Sequence, residues 1–218
     1  MWTEFKDRHE AGRQLGEALV SFAPRDAVVL GLPRGGVPVA FEVARRLRAP
    51  LDVCIVRKLG VPGHEEFAMG AIASGGVELL SPQTVRSLGL THGQVAHVLG
   101  RERLELERRE RAYRDGRPVV DVRGRTVIVV DDGLATGASM RAAVMALRQR
   151  GPAAIIVAVP VASAGTCEDI RHVADDCVCL HTPDPFFGVG QWYAEFGQTT
   201  DDEVRALLAR PERAPAAR

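Results

Sequence analysis

The sequence predicts an α/β fold: a central parallel sheet of about five strands with helices on both faces, a helical insertion and a small C-terminal hood. Three observations support this prediction. Short apolar runs without polar alternation are typical of strands buried on both faces. Segments of helical periodicity separate these runs, as in parallel sheets. Acidic and small residues follow the most β-branched run, at the edge where open α/β sheets bind ligands.

Composition narrows the class of protein. The 218 residues suit one domain with an appendage, or at most two small domains, and 46% hydrophobic and 26% charged residues are ordinary for a soluble globular chain. With 28 basic and 28 acidic residues, there is no general attraction to nucleic acid or to anionic membranes. The N-terminus has no apolar stretch of signal-peptide length. Cys54 and Cys179 lie in apolar runs, so we expect buried reduced thiols and hence a cytoplasmic location.

The first strand and its turn place a cation beside two glycines. A helix is predicted over residues 7–22 and ends at Pro24, and the first buried strand covers residues 27–32. A second helix runs from Pro38 to about residue 48. Between them, Gly35 and Gly36 allow a tight bend and a close approach to a ligand, and Arg34 adds positive charge. A plain strand-to-helix turn is the alternative interpretation.

A second strand, over residues 51–56, precedes two adjacent cations. Arg57 and Lys58 are expected at its carboxyl end, where they are either solvated or bind an anion. Residues 59–67 have the composition of a mobile loop. Residues 68–73 and 77–80 are predicted to form a hairpin.

Residues 81–118 form the predicted helical insertion. A short helix covers residues 82–88, and a longer one begins after Thr91 and ends near Arg114. The alternating charges of this helix indicate a solvated surface with i,i+4 ion pairs rather than a nucleic-acid interface. The insertion could cover a site or form an oligomer contact.

The strand at residues 126–130 carries the strongest functional signal. Asp131 and Asp132 follow it directly and can accept hydrogen bonds from sugar hydroxyls. A run of small and hydroxyl residues then leads into a helix, whose unpaired N–H groups and dipole favour phosphate. Neither Gly-x-x-x-x-Gly-Lys-Ser/Thr nor Gly-x-Gly-x-x-Gly is present. The pattern therefore favours a sugar phosphate over a nucleoside triphosphate or a dinucleotide, with a simple acidic turn as the alternative.

The remaining elements complete the sheet and the hood. A helix at 139–150, a strand at 154–161, a helix at 163–174 and a strand at 177–180 are predicted. Five of the eleven aromatic residues then lie within eleven positions: Phe186, Phe187, Trp192, Tyr193 and Phe196. The predicted organisation is a core over residues 1–180 with inserted segments at about 68–118, a hood with a closing helix over residues 181–210, and a disordered tail over residues 211–218.

Residues 127–139 resemble the phosphoribosyl-diphosphate (PRPP) binding motif of type I phosphoribosyltransferases. The resemblance implies that Asp131 and Asp132 hold the ribose hydroxyls. It also implies a 5-phosphate loop formed by Ala135, Thr136, Gly137, Ala138 and Ser139, and pyrophosphate contacts from Arg34, Gly35, Gly36, Arg57 and Lys58. The catalytic residues would be Arg57, Lys58, Asp131 and Asp132. Gly133 departs from the family, most members of which carry an apolar residue there.

The segment around Arg57 is similar to the Arg-Lys-x-Gly segment of adenine phosphoribosyltransferases, although Val61 stands where that family has a further Lys. The resemblance implies transfer of the 5-phosphoribosyl group from PRPP to a nitrogen acceptor, a planar base, with release of pyrophosphate. Mg²⁺ would be held mostly through PRPP, with Asp131 and Asp132 as available protein ligands. Ala135 replaces the third acidic residue of the 6-oxopurine enzymes, so hypoxanthine and guanine should be poor acceptors.

The hood of the family covers the active site and stacks an aromatic ring on the base. Phe186 or Phe187 is the expected platform and Trp192 the alternative, unless these aromatics form a small core of their own. Two other functions remain open: a PRPP- or nucleotide-sensing regulator on the same fold, and a relative of PRPP synthetases. The second is disfavoured because the sequence has no internal repeat. A homodimer is left open.

Overall fold

The computed structural model describes residues 5–21 and 26–209. The strands are β1 Val28–Gly31, β2 Leu51–Val53, β3 Val56–Val61, β4 His64–Ala73, β5 Val77–Leu80, β6 Thr126–Val130, β7 Ala154–Val161 and β8 Asp176–His181. The helices are α1 Arg8–Leu19, α2 Gly36–Leu47, α3 Pro82–Ser87, α4 His92–Arg114, α5 Ala138–Arg148, α6 Ala164–Arg171 and α7 Asp201–Ala209, with a 3₁₀ turn at Val189–Trp192. The predicted helix end at Phe22 and Pro24 and the predicted tail 211–218 lie outside the described residues.

The central sheet has five parallel strands in the order β2-β1-β6-β7-β8, which confirms the predicted fold class. Alternate residues of β6 point to opposite faces. Val127 and Val129 pack with α5 and α6, whereas Ile128 and Val130 pack with α1 and α2. All five residues of β6 are buried, as its uninterrupted β-branched sequence predicted.

The connections place a crevice between β1 and β6. Residue Leu30 pairs with Val129 in the parallel ladder between these two strands. The helix after β1, α2, covers one face of the sheet, and the helix after β6, α5, covers the other. The chain therefore leaves β1 and β6 toward opposite faces of the sheet, and the carboxyl ends of two such strands are the position at which open α/β sheets bind ligands.

Residues 56–80 form a second, antiparallel sheet in the order β3-β4-β5. Two predictions were therefore wrong: Arg57 and Lys58 lie inside β3 rather than at the end of β2, and residues 59–67 belong mainly to strands. The predicted hairpin of residues 68–73 and 77–80 is confirmed and extended. The Pro and Gly residues that suggested a loop only form the tight turn between β3 and β4. Leu59 and Val61 are buried beneath α4 and hold β3 in place.

Helix α4 packs against the rest of the protein more extensively than its charged sequence predicted. Its predicted start is confirmed: Thr91 Oγ1 accepts from the N–H of Gln94, and the Gln94 side chain accepts from the N–H of Thr91. Its few apolar residues form a core with β3 and α7 rather than remaining solvated. Arg114 is 5% exposed and donates to Asp52 at 3.1 Å. The predicted i,i+4 ion pairs are present, for example Arg109–Glu105.

The cysteines differ in part from the expectation. Cys54 is a buried free thiol, as predicted, and burial raises its pKa to about 12. Cys179 is not reduced: it forms a disulfide with Cys167 because α6 packs directly on β8. The Cys177 sulfur lies 3.7 Å from that of Cys179. The inference of a cytoplasmic location from reduced thiols therefore loses the support of Cys179. None of the helices within residues 5–21 and 26–209 is long and apolar enough to cross a bilayer.

Candidate active site

The loops after β1 and β6 are in direct contact at the crevice. A methyl group on Gly35 would lie 2.1 Å from Asp132 Oδ2. One on Gly36 would lie 2.7 Å from the Val130 carbonyl oxygen and 2.8 Å from Asp131 Cα. The peptide between Pro33 and Arg34, at the start of this contact, is cis. The paired glycines are therefore needed so that the β1 loop can lie against the two aspartates.

Asp131 and Asp132 each use one carboxylate oxygen within the protein. Asp131 Oδ1 accepts from the N–H of Asp132 at 2.9 Å, and Asp132 Oδ2 accepts from Arg8 Nε at 2.7 Å. Burial, and then the charge of Asp132, raise the pKa of Asp131 well above its usual range. Burial also raises the pKa of Asp132, while Arg8 opposes that shift. In the contacts of the described residues, one oxygen of each aspartate remains for a sugar hydroxyl or a metal ion.

The predicted phosphate loop lies open at the start of α5. Ala135, Thr136 and Ser139 are exposed, and Gly137 precedes the helix with φ of 68°. Thr166 of α6 donates to the Ala135 carbonyl at 3.0 Å, and Arg141 donates to the Thr136 carbonyl at 2.8 Å. The carbonyl groups of Ala135 and Thr136 are thus bound by the protein, and the Ala138 N–H makes a long contact of 3.4 Å to Thr136 Oγ1. The start of a helix favours an anion through its N–H groups and its dipole.

The three predicted pyrophosphate cations occupy different surroundings. Arg34 Nη1 lies 3.8 Å from Asp201 of α7. Arg57 donates through Nε to Glu102 of α4 at 2.8 Å, and the Glu102 side chain is only 8% exposed. Lys58 is exposed and, because strand residues alternate, points to the face opposite Arg57. The structure therefore does not bring Arg57 and Lys58 to one surface.

The aromatic hood divides into packed and exposed residues. Tyr193 is 4% exposed and packs with Phe5, and its hydroxyl donates to the Asp132 carbonyl at 2.6 Å. Phe186 and Trp192 are half-buried against this cluster. Phe187 is 76% exposed. The core interpretation therefore accounts for much of the aromatic cluster, and among the predicted platforms Phe187 is the most available for stacking; its role in binding stays a prediction.

Two features of the site were missed from the sequence. A methyl group on Gly133 would lie 2.6 Å from Val189 Cγ1, so this departure from the family pattern allows the hood to pack on the loop. Arg8, at the start of α1, reaches Asp132 across 124 positions of sequence. The packing of the hood on Gly133 could have been suspected, because a glycine is unusual there. The contact of Arg8 with Asp132 has no local sequence signal, because an arginine at the start of an amphipathic helix is usually solvated.

Comparisons with known proteins agree with this geometry. A model of the phosphoribosyl transferase domain matches residues 2–195. Two provisionally named phosphoribosyl transferases of Mycobacterium tuberculosis, from strains CDC 1551 and H37Rv, are each 47% identical over 209 residues, covering 96% of this chain and 47% of theirs. The chain thus spans about half the length of these curated relatives.

A solved structure gives the same result for the fold. The crystal structure of TT1426 from Thermus thermophilus is 45% identical, covers 94% of this chain and 98% of its own, and superposes with a TM-score of 0.86. The crevice between β1 and β6, its paired aspartates and the matched domain lead to one conclusion: this chain belongs to the phosphoribosyl transferase family.

Proposed function

We propose that this chain transfers the 5-phosphoribosyl group from PRPP to a nitrogen atom of a planar base and releases pyrophosphate. The observation that carries the proposal is the position of Asp131 and Asp132, which lie beside the open N-terminus of α5 at the β1–β6 crevice. A carboxylate pair suits ribose hydroxyls, and a helix N-terminus suits the 5-phosphate. Both parts of one sugar phosphate would be bound within a single loop.

In this reaction, a lone pair of the acceptor nitrogen forms a bond to C1 of ribose, and the bond from C1 to the diphosphate oxygen breaks. The bonding electrons leave with pyrophosphate, and the acceptor nitrogen then loses its proton to solvent. Positive charge develops on the sugar during this exchange. Asp131 and Asp132 hold the ribose and favour that charge electrostatically, since both carboxylates lie in a half-buried crevice.

The residues at the crevice fit Mg²⁺ bound mainly by the substrate. Carboxylate oxygens are the ligands that this hard cation prefers, but Arg8 and a backbone N–H already occupy one oxygen of each aspartate. The diphosphate and hydroxyl oxygens of PRPP would therefore supply most of the coordination. A bound Mg²⁺ would neutralise charge on the departing diphosphate.

Arg34 and Arg57 are the proposed cations for pyrophosphate, whereas Lys58 points to the opposite face of β3 and could reach it only after a rearrangement. The role of Arg57 needs the closest test. Its contact with the buried Glu102 gives it a structural role in addition to any catalytic one. Arg57→Ala should lower stability, because a buried carboxylate then loses a charged donor, at a cost of about 1–3 kcal/mol. Arg57→Lys keeps a charge and serves as the matched control. If Arg57 also acts in catalysis, the turnover rate per folded molecule should fall ~10²–10³-fold in Arg57→Ala.

The acceptor is tested with purified protein, PRPP, Mg²⁺ and a panel of bases, with pyrophosphate as the readout. We expect release with a planar base other than hypoxanthine or guanine, because Ala135 supplies no carboxylate beside the acceptor. Phe187→Ala should weaken acceptor affinity if its exposed ring stacks on the base. Asp132→Asn is the control that reveals any release of pyrophosphate that does not depend on the candidate ribose site. Robust turnover of hypoxanthine or guanine would contradict the proposed base preference.

A regulator that senses PRPP or a nucleotide is the second candidate. The contact between Arg57 and Glu102 favours it, since an arginine tied to a buried carboxylate is less free to follow a leaving group. Tight PRPP binding without pyrophosphate release for any base would select the regulator. A cytoplasmic location and a homodimer remain proposals, to be checked by fractionation and by light scattering.

A further inference from the structure

Arg8 links the start of α1 to the candidate ribose site. Its side chain is 12% exposed, although arginine usually lies in solvent. Nε donates to Asp132 Oδ2 at 2.7 Å, and Nη1 donates to the Gly197 carbonyl at 2.7 Å. The guanidinium carbon lies 4.0 Å from the centre of the Phe196 ring. Three contacts therefore fix one side chain between Asp132 and the C-terminal hood.

The backbone around Arg8 is joined to the same hood. Phe5 forms an isolated parallel bridge with Tyr193, and the N–H of Ala194 donates to the Phe5 carbonyl at 2.9 Å. The N–H of Glu195 donates to the Lys6 carbonyl at 2.8 Å. Tyr193 donates in turn to the Asp132 carbonyl. The N-terminal segment and the hood are therefore joined, and both reach Asp132: the start of α1 through the Arg8 side chain and the hood through the Tyr193 hydroxyl.

We propose that Arg8 is a positioning residue for Asp132: it holds the carboxylate in one orientation, so that the second oxygen receives a ribose hydroxyl. The inference rests on the proposed PRPP site. It also makes ribose binding depend on docking of the hood, since Arg8 takes its other contacts from Phe196 and Gly197.

The groups around Asp132 show why a cation fits there. Asp131 is adjacent in sequence and carries a second carboxylate. The Tyr193 hydroxyl binds the backbone carbonyl of Asp132 and leaves its side chain free, and the β1 loop contributes Gly35, which has no side chain. Among the ion pairs of the described residues, Arg8 is the partner of the Asp132 carboxylate. Removal of Arg8 should therefore free that carboxylate to rotate.

The experiment compares Arg8→Met and Arg8→Lys with the full chain. The methionine keeps much of the packing on Phe196 but has no charge, and the lysine restores the charge without the forked donors. Arg46→Met is the matched control, because Arg46 of α2 pairs with Glu17 of α1 at 2.6 Å, away from the crevice. Melting temperatures confirm that each variant folds.

Two measurements are made on each variant. The first is the chemical shift of the Asp132 carboxyl carbon by NMR at pH 7 without ligand, with the signal assigned by its loss in Asp132→Asn. The second is the dissociation constant of PRPP with Mg²⁺, measured by calorimetry at pH 7. We expect Arg8→Met to move the Asp132 signal, because its carboxylate loses the donor at 2.7 Å. We also expect it to weaken PRPP binding roughly tenfold. Arg8→Lys should recover part of both, and Arg46→Met should match the unmodified protein.

The outcomes separate this inference from the proposed function. An unchanged Asp132 signal and unchanged affinity in Arg8→Met, while the unmodified protein binds PRPP, would overturn the role of Arg8 alone. Tighter PRPP binding by Arg8→Met would also overturn it, because Arg8 would then occupy the place of the sugar. A moved Asp132 signal in Arg8→Met with no PRPP binding by any form would support the contact between Arg8 and Asp132 and overturn the proposed substrate.

Discussion

We predict that PRPP stabilises the fold and that replacing Asp132 by asparagine removes most of this stabilisation. The substitution keeps the shape of the side chain, and its carbonyl oxygen can still accept from Arg8 Nε, which donates to Asp132 at 2.7 Å. Loss of charge also relieves the repulsion with Asp131, which offsets the weaker contact to Arg8. We therefore expect the ligand-free variant to unfold within about 1 kcal/mol of the unmodified protein.

The effect on binding is larger because the ribose hydroxyl loses a charged acceptor. A hydrogen bond to a charged group contributes about 1.5–3 kcal/mol, so PRPP should bind roughly 10–150-fold more weakly. At ~100 times its dissociation constant, PRPP adds about 2.7 kcal/mol to the unmodified protein. The same concentration would add only about 0.3–1.4 kcal/mol to the variant. For a chain of this length, the shift in melting temperature should fall from about 5–11 °C to half of that or less.

The assay is thermal unfolding followed by circular dichroism, with and without PRPP and Mg²⁺. Asp202→Asn is the matched control, because Asp202 is 83% exposed on α7 and pairs only with Arg205 in the contacts of the described residues. That variant should show the full ligand shift. An undiminished shift in Asp132→Asn would refute the assignment of Asp132 to the ribose.

Three further predictions concern Asp131, Gly133 and the cysteines. Asp131→Asn should raise the melting temperature at pH 7, with a gain in stability of ~1 kcal/mol. The folded-state pKa of Asp131 is raised, so this residue's contribution to stability is present at low pH and is lost as the pH rises through that pKa. The gain from asparagine should therefore disappear in acid, and a lower melting temperature of the variant at pH 7 would contradict this. Gly133→Ala should destabilise the protein by about 1–3 kcal/mol, because its methyl group would meet Val189. Adding Val189→Ala should restore much of the lost stability. If the two single changes in the free energy of unfolding simply add in the double variant, the contact is contradicted. Titration of denatured, unreduced protein with a thiol reagent should detect Cys54 and Cys177 only, and four reactive thiols would show that the disulfide is absent.

The central sheet and its loop could be predicted because their signals are local. Five apolar runs and the helices between them define the parallel strands, and the two aspartates follow the buried strand directly. Most helix starts were also predictable, since Thr91 and its partner Gln94 lie within one turn. In each case the residues that determine the structure are close together in sequence.

The second sheet and the contacts of the site could not be predicted in this way. Arg57 interrupts the face of β3 that carries Leu59 and Val61, and only the packing of α4 shows that this face is buried. The contact of Arg57 with Glu102 spans 45 positions, and that of Arg8 with Asp132 spans 124. Such pairs depend on the tertiary arrangement, and an arginine on an amphipathic surface has the same local pattern whether or not it reaches a distant carboxylate.

A crystal structure of the full chain with PRPP and Mg²⁺ tests the proposed site most directly. We predict ribose hydroxyls within hydrogen-bonding distance of the Asp131 and Asp132 carboxylates, with Arg8 still bound to Asp132. We also predict the 5-phosphate at the loop of residues 135–139 and the diphosphate beside Arg34. Density for PRPP elsewhere on the sheet, or a ribose that leaves both aspartates without contact, would contradict the proposed site.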